Sequence, residues 1–230
     1  ECTHEVFIPP KGKSIVDSAS PAAPPRVYRS ALRAQQAAET RRRIVEAAAQ
    51  LFSSEGYQAA TLAAIGRAAG VSTETVKTAA SKAELLIAAF EVTFAGVEAA
   101  ATLTETEVAA DVFSVPDAAF LDVVIRQIGD ANARGHALWT VLVGAAASDP
   151  VVDAALRGIL ERRAADYRRL VDELLARGYT ARVTDPEATA AALSFLLSPE
   201  GYQQLVTQSG WSTERYAAWV RAAILAELTR

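Results

Sequence analysis

Apolar residues recur along this chain at spacings of three and four, the period of a helix rather than a strand. Between residues 40 and 55, Ile44, Ala47, Ala48, Leu51 and Phe52 line one face. Gly56 follows as a C-terminal cap. Thr61 opens a second short helix with Leu62, Ile65 and Ala69 facing inward, and Gly70 ends it. Ser72 is the expected N-cap of a third short helix over 73–79. Lys82 to about Glu107 reads as a long fourth helix. Pro116 then opens a helix to about Ala133, and the apolar stretch from His136 to Ala147 predicts a separate, centrally buried helix. Pro150 opens an amphipathic helix to about Arg177, closed by Gly178. Asp185-Pro186 starts a helix to about Leu197, Ser198-Pro199-Glu200 a shorter one, and Ser212 the last, which runs to the C-terminus. Residues 1–25 carry Pro9, Pro10, Pro21, Pro24 and Pro25 and no helical period, so they read as a disordered tail, native or appended. From Tyr28 to Arg43 the chain is polar and Arg-rich, an extended arm leading into the first helix.

The fold class expected is all-α, and the composition supports it. Of 230 residues 51% are hydrophobic, enough for a sizeable core, while Gly and Pro are sparse. The single cysteine, Cys2, excludes an internal disulfide framework. The longest apolar run, 137–147, is too short to span a bilayer, and no secretory signal is visible, so a soluble cytoplasmic protein is expected. The net charge of −4 conceals a division along the chain. Residues 26–82 hold nine Lys/Arg and four Glu, whereas residues 83–230 hold twelve Arg and twenty Asp/Glu. A basic segment on an acidic body suggests a module facing a polyanion, although a solvated charged face gives the same count.

The segment TLAAIGRAAGVSTETV, Thr61 to Val76, carries the most information. Two short helices meet at a tight turn containing Gly70, and Val71 plugs their junction: the spacing of a helix-turn-helix. The first helix acts as a brace and needs small inward residues such as Ala63, Ala64 and Ala68. The second must enter a major groove, so its outer face needs short polar groups, here Thr73, Glu74, Thr75, Lys77 and Thr78.

The stretch from Thr40 to Phe90 resembles the DNA-binding domain of the tetracycline-repressor (TetR) family. The resemblance rests on the Arg-rich entry, the Ala-rich first helix ending in Leu51-Phe52, the Glu55-Gly56-Tyr57 turn, the Ala-Gly-Val-Ser turn, and Ser81-Lys82 before Leu85-Leu86. Residues 198–219 also resemble the last two helices of an actinobacterial-type branch. One departure matters. After the valine of the third helix the family pattern places an aromatic, two residues, a second aromatic, two residues and then Lys. Here Val76 is followed by Lys77-Thr78-Ala79-Ala80-Ser81-Lys82, without either aromatic and one residue short. The chain also contains no methionine. A methionine missing between Ala79 and Ala80 would restore the spacing; a true deletion would distort the junction. An intact-mass measurement decides between the two.

The resemblance implies a repressor that binds double-stranded palindromic operator DNA as a homodimer and answers to a small, mostly apolar effector. Three domains follow: the tail 1–25, a DNA-binding domain with its basic arm over 26–82, and a ligand-binding and dimerisation domain over 83–230. Phosphates supply most of the affinity in such complexes. Arg41, Arg42, Arg43, Thr61, Lys77 and Lys82 are the expected backbone clamps, with Lys82 the firmest by resemblance. Ser72, Thr73, Thr75 and Thr78 are the expected base-edge readers. Glu74 suits a helix N-terminus better than a cytosine amino group. The arm, with Arg26, Arg29 and Arg33, either reaches a minor groove or is disordered without contact. Expected pocket residues are Phe94, Phe113, Phe120, Trp139, Val143 and Tyr167, with Asn132 and His136 as polar anchors; filling of an ordinary core accounts for the same pattern. Expected dimer contacts are Ala188, Ala191, Ala192 and Phe195 on one helix and Tyr216, Trp219, Val220 and Ala223 on the last, unless these faces pack within the subunit. The sequence offers only His4 and His136, no Gly-rich phosphate loop and no metal-ligand spacing, so neither an enzyme nor a cofactor is expected. A helical interaction or ligand-binding protein with a degenerate DNA-binding head is the alternative.

Overall fold

The computed structural model describes residues 26–96, Glu98 and residues 112–230, with side chains from Leu32 onward. The expected tail 1–25, the side chains of Arg26 and Arg29, and the end proposed for the fourth helix near Glu107 lie outside the described residues. The chain divides into two compact units, Glu1–Ala38 and Glu39–Arg230.

Among the described residues the elements are all helical. They are α1 (Arg26–Ala59), α2 (Leu62–Ala69), α3 (Thr73–Ala79), α4 (Lys82–Ala95), α5 (Asp117–Ala146), α6 (Pro150–Ala176), α7 (Pro186–Leu196), α8 (Pro199–Tyr202) and α9 (Thr213–Leu228). A π-helical turn, Gln203–Gln208, follows α8. The caps explain most boundaries. Side-chain oxygens of Thr61, Ser72, Ser81, Asp149, Asp185, Ser198 and Ser212 each accept a backbone N–H of the turn that follows. Ser81 and Glu84 cap α4 reciprocally.

Four expectations about the elements need correction. The arm is helical rather than extended, because no breaker separates Arg26 from Phe52 and α1 runs through it. The fourth helix stops at Ala95: Gly96 takes φ 83° and its N–H bonds the Val92 carbonyl at 2.9 Å. The helices expected over 116–133 and 136–147 are one, α5, because Arg134 and Gly135 continue the helical backbone. Gly135 costs about 1 kcal/mol in helix propensity, but a Cβ there would lie 3.1 Å from Phe94 Cδ2, so its absence lets α4 and α5 approach. The stretch 136–147 is not buried all round either. Leu138, Trp139, Leu142 and Ala145 face the core, while Thr140, Val143 and Gly144 are exposed.

Two apolar clusters hold the second unit together. One joins Ile44, Ala48 and Phe52 of α1, Ile65, Val76, and Leu85, Leu86 and Phe90 of α4 to Leu138, Trp139 and Leu142 of α5 and to Val152. The other joins Phe120, Leu121 and Ile125 of α5 to Tyr167 and Val171 of α6, Leu193, and Tyr216, Val220, Ile224 and Leu228 of α9. Packing is therefore continuous across the boundary expected at residues 82 and 83. The helix-turn-helix shares its core with the C-terminal part of α5 and does not enclose a small core of its own.

Candidate nucleic-acid interface

The α2–α3 unit is built from local chemistry. Thr61 Oγ1 accepts from the Ala64 N–H at 3.1 Å, and Ser72 Oγ accepts from the Thr75 N–H at 3.0 Å. Between the helices Gly70 adopts the left-handed conformation, φ 67°, which a residue with a Cβ resists. The Val71 N–H then bonds the Gly66 carbonyl at 2.9 Å, and Val71 packs against the core beside buried Ile65 and Val76. Gly66 escaped the sequence reading. A Cβ on it would lie 3.0 Å from the Val71 carbonyl oxygen and 3.4 Å from the Ser72 carbonyl carbon, so the turn backbone sits directly on α2 at this point. A glycine inside a capped helix, where propensity opposes it, was the available signal. Ala68, expected inward, is exposed, and Ala63 and Ala64 are half-buried; Gly66 and Ala69 are the small buried residues instead.

The outer face of α3 presents Thr75, Lys77 and Thr78 to solvent, with Thr73 half-buried beside them. Thr75 Oγ1 lies 2.8 Å from Ser72 Oγ, and Thr78 Oγ1 donates to the Glu74 carbonyl at 2.9 Å. Glu74 occupies the first turn, where the helix dipole favours a carboxylate. Its 3.9 Å contact with Lys77 is solvent-exposed and holds neither side chain firmly in place.

The basic residues part company. Arg41, expected to clamp phosphate, turns inward. Its Nε and Nη2 donate to Glu98 Oε2 at 3.0 and 2.7 Å, and its Nη1 donates to the Ala79 carbonyl at 3.1 Å. The reason is the short α3–α4 junction. Ala79 ends α3, where carbonyls lose their intrahelical partners, and Arg41 supplies one. Ala80 is extended and buried, with its N–H on the Val76 carbonyl at 3.0 Å. The junction thus closes without the two missing aromatics. Arg42 pairs with Glu39 and Glu46 at 2.7 and 2.6 Å, exposed contacts that an incoming phosphate can replace. Arg43 is exposed and has no ion pair among the described residues; its Nη1 reaches 4.0 Å from the Cβ position of Gly70.

Lys82 stands apart. It is half-buried at the first position of α4, where a positive charge opposes the helix dipole. Burial lowers its pKa. Its Nζ donates to the Gln58 carbonyl at 3.2 Å and lies 4.7 Å from the centre of the Tyr57 ring. No carboxylate pairs with it among the described residues. A cation so placed, with no carboxylate partner among the described residues, is suited to an anion from outside.

The residues expected to line one effector pocket are divided between the two clusters. Phe94 is half-buried and stacks on Phe90 at 5.4 Å, while Trp139 lies 5.5 Å from Phe90 and donates from Nε1 to Glu200 Oε1 at 2.7 Å. Phe120 and Tyr167 belong to the other cluster, Phe120 beneath the Arg177 guanidinium at 4.2 Å. Phe113 and Val143 are 42% and 43% exposed. Helical rise explains the separation: positions 120 and 143 of one continuous helix stand roughly 35 Å apart, too far for a single small-molecule pocket. Asn132 and His136 lie between. Asn132 is fully buried; its Nδ2 donates to the Leu197 carbonyl at 3.0 Å, while its Oδ1 is buried without a partner. His136 Nδ1 sits 3.1 Å from the Asn132 carbonyl oxygen.

The two faces expected to dimerise also divide. Tyr216 and Val220 are buried in the subunit's own core, on the stripe continued by Ile224 and Leu228, so they are not dimer contacts. Trp219 is 42% and Phe195 71% exposed, with Ala188 and Ala191 exposed and Ala192 and Ala223 half-buried. Ala192, Phe195, Leu196, Ala223 and Ala226 line an open groove between α7 and α9. No group of three or more metal-ligating side chains occurs among the described residues, and no helix there is long and apolar enough to cross a membrane.

Residues 44–89 match the N-terminal domain of the bacterial regulatory proteins of the tetR family. No curated protein matches the chain by sequence. Solved structures share the fold, among them three regulators. A candidate transcriptional regulator from Pseudomonas aeruginosa PAO1 superposes with a TM-score of 0.64 at 16% identity, over 80% of this chain and 88% of its own. The fatty acid degradation regulator FadR from Bacillus halodurans gives 0.60 at 18% identity, over 82% and 94%. A candidate TetR-family transcriptional regulator from Rhodococcus sp. gives 0.56 at 16%, over 83% and 99%.

Proposed function

We propose, from the premise that this chain is a DNA-binding transcriptional regulator of the tetR family, that it is a cytoplasmic repressor which binds a palindromic operator as a homodimer and releases it when a small, mostly apolar effector is bound. In this reading residues 26–82 contact DNA and residues 83–230 dimerise and hold the effector. The observation that carries it is Lys82, half-buried and without a carboxylate partner among the described residues, at the start of the helix that follows the two capped short helices. Arg43, Arg42, Thr61 and Lys77 join it at phosphates, and Ser72, Thr73, Thr75 and Thr78 read bases. Arg41 acts indirectly, by closing the α3–α4 junction. For the effector, the support is Asn132, whose buried Oδ1 lacks a donor; a ligand N–H or O–H would satisfy it.

Two measurements test this reading. Duplexes selected by the unmodified chain from a random pool should be palindromes whose half-sites lie about 34 Å apart on one face. On them, Lys82→Ala should weaken binding to every sequence and lower the salt slope by about one, whereas Thr75→Ala should change the order of preference among sequences. Identical effects of the two substitutions on every site would refute the division into clamps and readers. The dimer is tested at Phe195. The wild-type chain should scatter light as a dimer at micromolar concentration, and Phe195→Glu, which places a charge on the exposed apolar face of α7, should scatter as a folded monomer. A monomeric wild type defeats the reading.

A further inference from the structure

Asp149, the N-cap of α6, lies 92 residues from Tyr57 in sequence, yet the Tyr57 hydroxyl donates to its Oδ2 at 2.6 Å. Its other oxygen, Oδ1, accepts the Val151 and Val152 N–H groups at 3.0 and 3.4 Å. Capping therefore fixes the carboxylate, and the fixed carboxylate holds the phenol. The phenol's pKa is raised by burial and by this bond, and the hydrogen bond from Tyr57 is the main cause that lowers the pKa of Asp149. Both groups thus keep the donor and acceptor states that the bond requires near neutral pH. Gly56, immediately before Tyr57, has φ 79° and ψ 175°, a conformation open to glycine, and breaks α1 so that the chain turns there. One face of the Tyr57 ring then lies under the Lys82 ammonium at 4.7 Å. A phenol that donates to a carboxylate has a more electron-rich ring, which strengthens the cation–π contact.

We propose that Asp149 is a positioning residue for the DNA contact of Lys82, acting through Tyr57. The α5–α6 turn thereby bears on the affinity of the head for DNA, by a route separate from the apolar core. This inference rests on the reading of Lys82 as a phosphate contact. A relayed effect differs from a merely structural one in a single respect: it vanishes once Lys82 is gone.

The test measures affinity for a duplex selected by the unmodified chain from a random pool. The variants are Asp149→Ser, Tyr57→Phe, Lys82→Ala and the double variant of Asp149→Ser with Lys82→Ala. Serine keeps the α6 cap but is too short to reach Tyr57, and phenylalanine keeps the ring against Phe52. Asp149→Ser and Tyr57→Phe should each lose roughly three- to tenfold in affinity, the scale of the net contribution of one ordinary hydrogen bond. In the Lys82→Ala background, Asp149→Ser should change affinity by less than about twofold, the limit for an effect already exhausted. Equal losses in both backgrounds would overturn the proposal, since Asp149 would then act on fold or head orientation and not through Lys82. Unchanged affinity in Asp149→Ser alone would overturn it as well. Unchanged affinity in Lys82→Ala would overturn both this proposal and the clamp assignment beneath it, which separates the two failures.

Discussion

Trp139→Ala is expected to destabilise the protein by about 3–5 kcal/mol, the usual cost of removing a buried Trp or Phe ring. For a chain of this size that corresponds to a fall in melting temperature of roughly 6–20 °C. Trp139 is 4% exposed, packs 5.5 Å from Phe90, donates to Glu200 and has the Arg163 guanidinium over its ring at 5.9 Å. Read as a pocket residue beside an independently folded head, it should leave DNA binding untouched. The shared cluster gives the opposite expectation: the cavity opens in the core that also holds Ile44, Phe52, Leu85 and Leu86. DNA binding should fall in step with the unfolded fraction and recover on cooling. Trp139→Phe, which keeps a ring but loses the bond to Glu200, should lose less, about 1–3 kcal/mol. Calorimetry and DNA titration at two temperatures check this. A Trp139→Ala protein with unchanged melting temperature and DNA affinity would remove Trp139 from the core.

Where a feature depended on neighbouring residues, the sequence was enough. Helix starts at Thr61, Ser72, Asp185 and Ser212 were legible because a cap is one side chain accepting one N–H two or three residues on. The turn at Gly70 was legible for the same reason, and its spacing pointed to the helix-turn-helix and the family. Features that depend on distant partners were not. Arg41 lies in a run of three arginines, and its partners Ala79 and Glu98, 38 and 57 residues away, distinguish it from Arg42 and Arg43. Tyr216 and Trp219 sit on the same broad face of α9, and the packing of α5 and α7 decides that the first is core and the second surface. The continuity of α5 across Gly135 depends on a distant partner too, since Phe94 packs where a side chain at 135 would stand. The expected break between Ala133 and His136 is absent, and the rise of the 30-residue helix sets Phe120 and Val143 far apart along it.

Gly66→Val is expected to abolish specific DNA binding while leaving α5–α9 folded. The substitution acts where α2 meets the turn. A Cβ at Gly66 already lies 3.0 Å from the Val71 carbonyl oxygen and 3.4 Å from the Thr73 nitrogen, and both are backbone, so neither can swing aside as a side chain would. For alanine the overlap is a few tenths of an ångström and is offset by about 1 kcal/mol of helix propensity, so Gly66→Ala should be close to neutral. Valine adds two γ-carbons to the same contact. Overpacking of this kind costs about 1–3 kcal/mol where a core can yield, and more where the obstacle is a turn closed by the Val71-to-Gly66 hydrogen bond. Relief comes by moving Val71 and Ser72 away from α2, which shifts the N-cap of α3 and with it Thr73, Thr75 and Thr78. Affinity for a selected duplex should fall to the level of a random one, while weak, salt-dependent binding persists through Arg43 and Lys82, which stand on α1 and α4. Hydrogen exchange should show lost protection confined to residues 61–80. Retained sequence preference in Gly66→Val would mean that the α2–α3 angle does not govern recognition, and equal losses for the alanine and valine variants would mean that the first Cβ, not the added γ-carbons, is what the turn excludes, since helix propensity favours alanine.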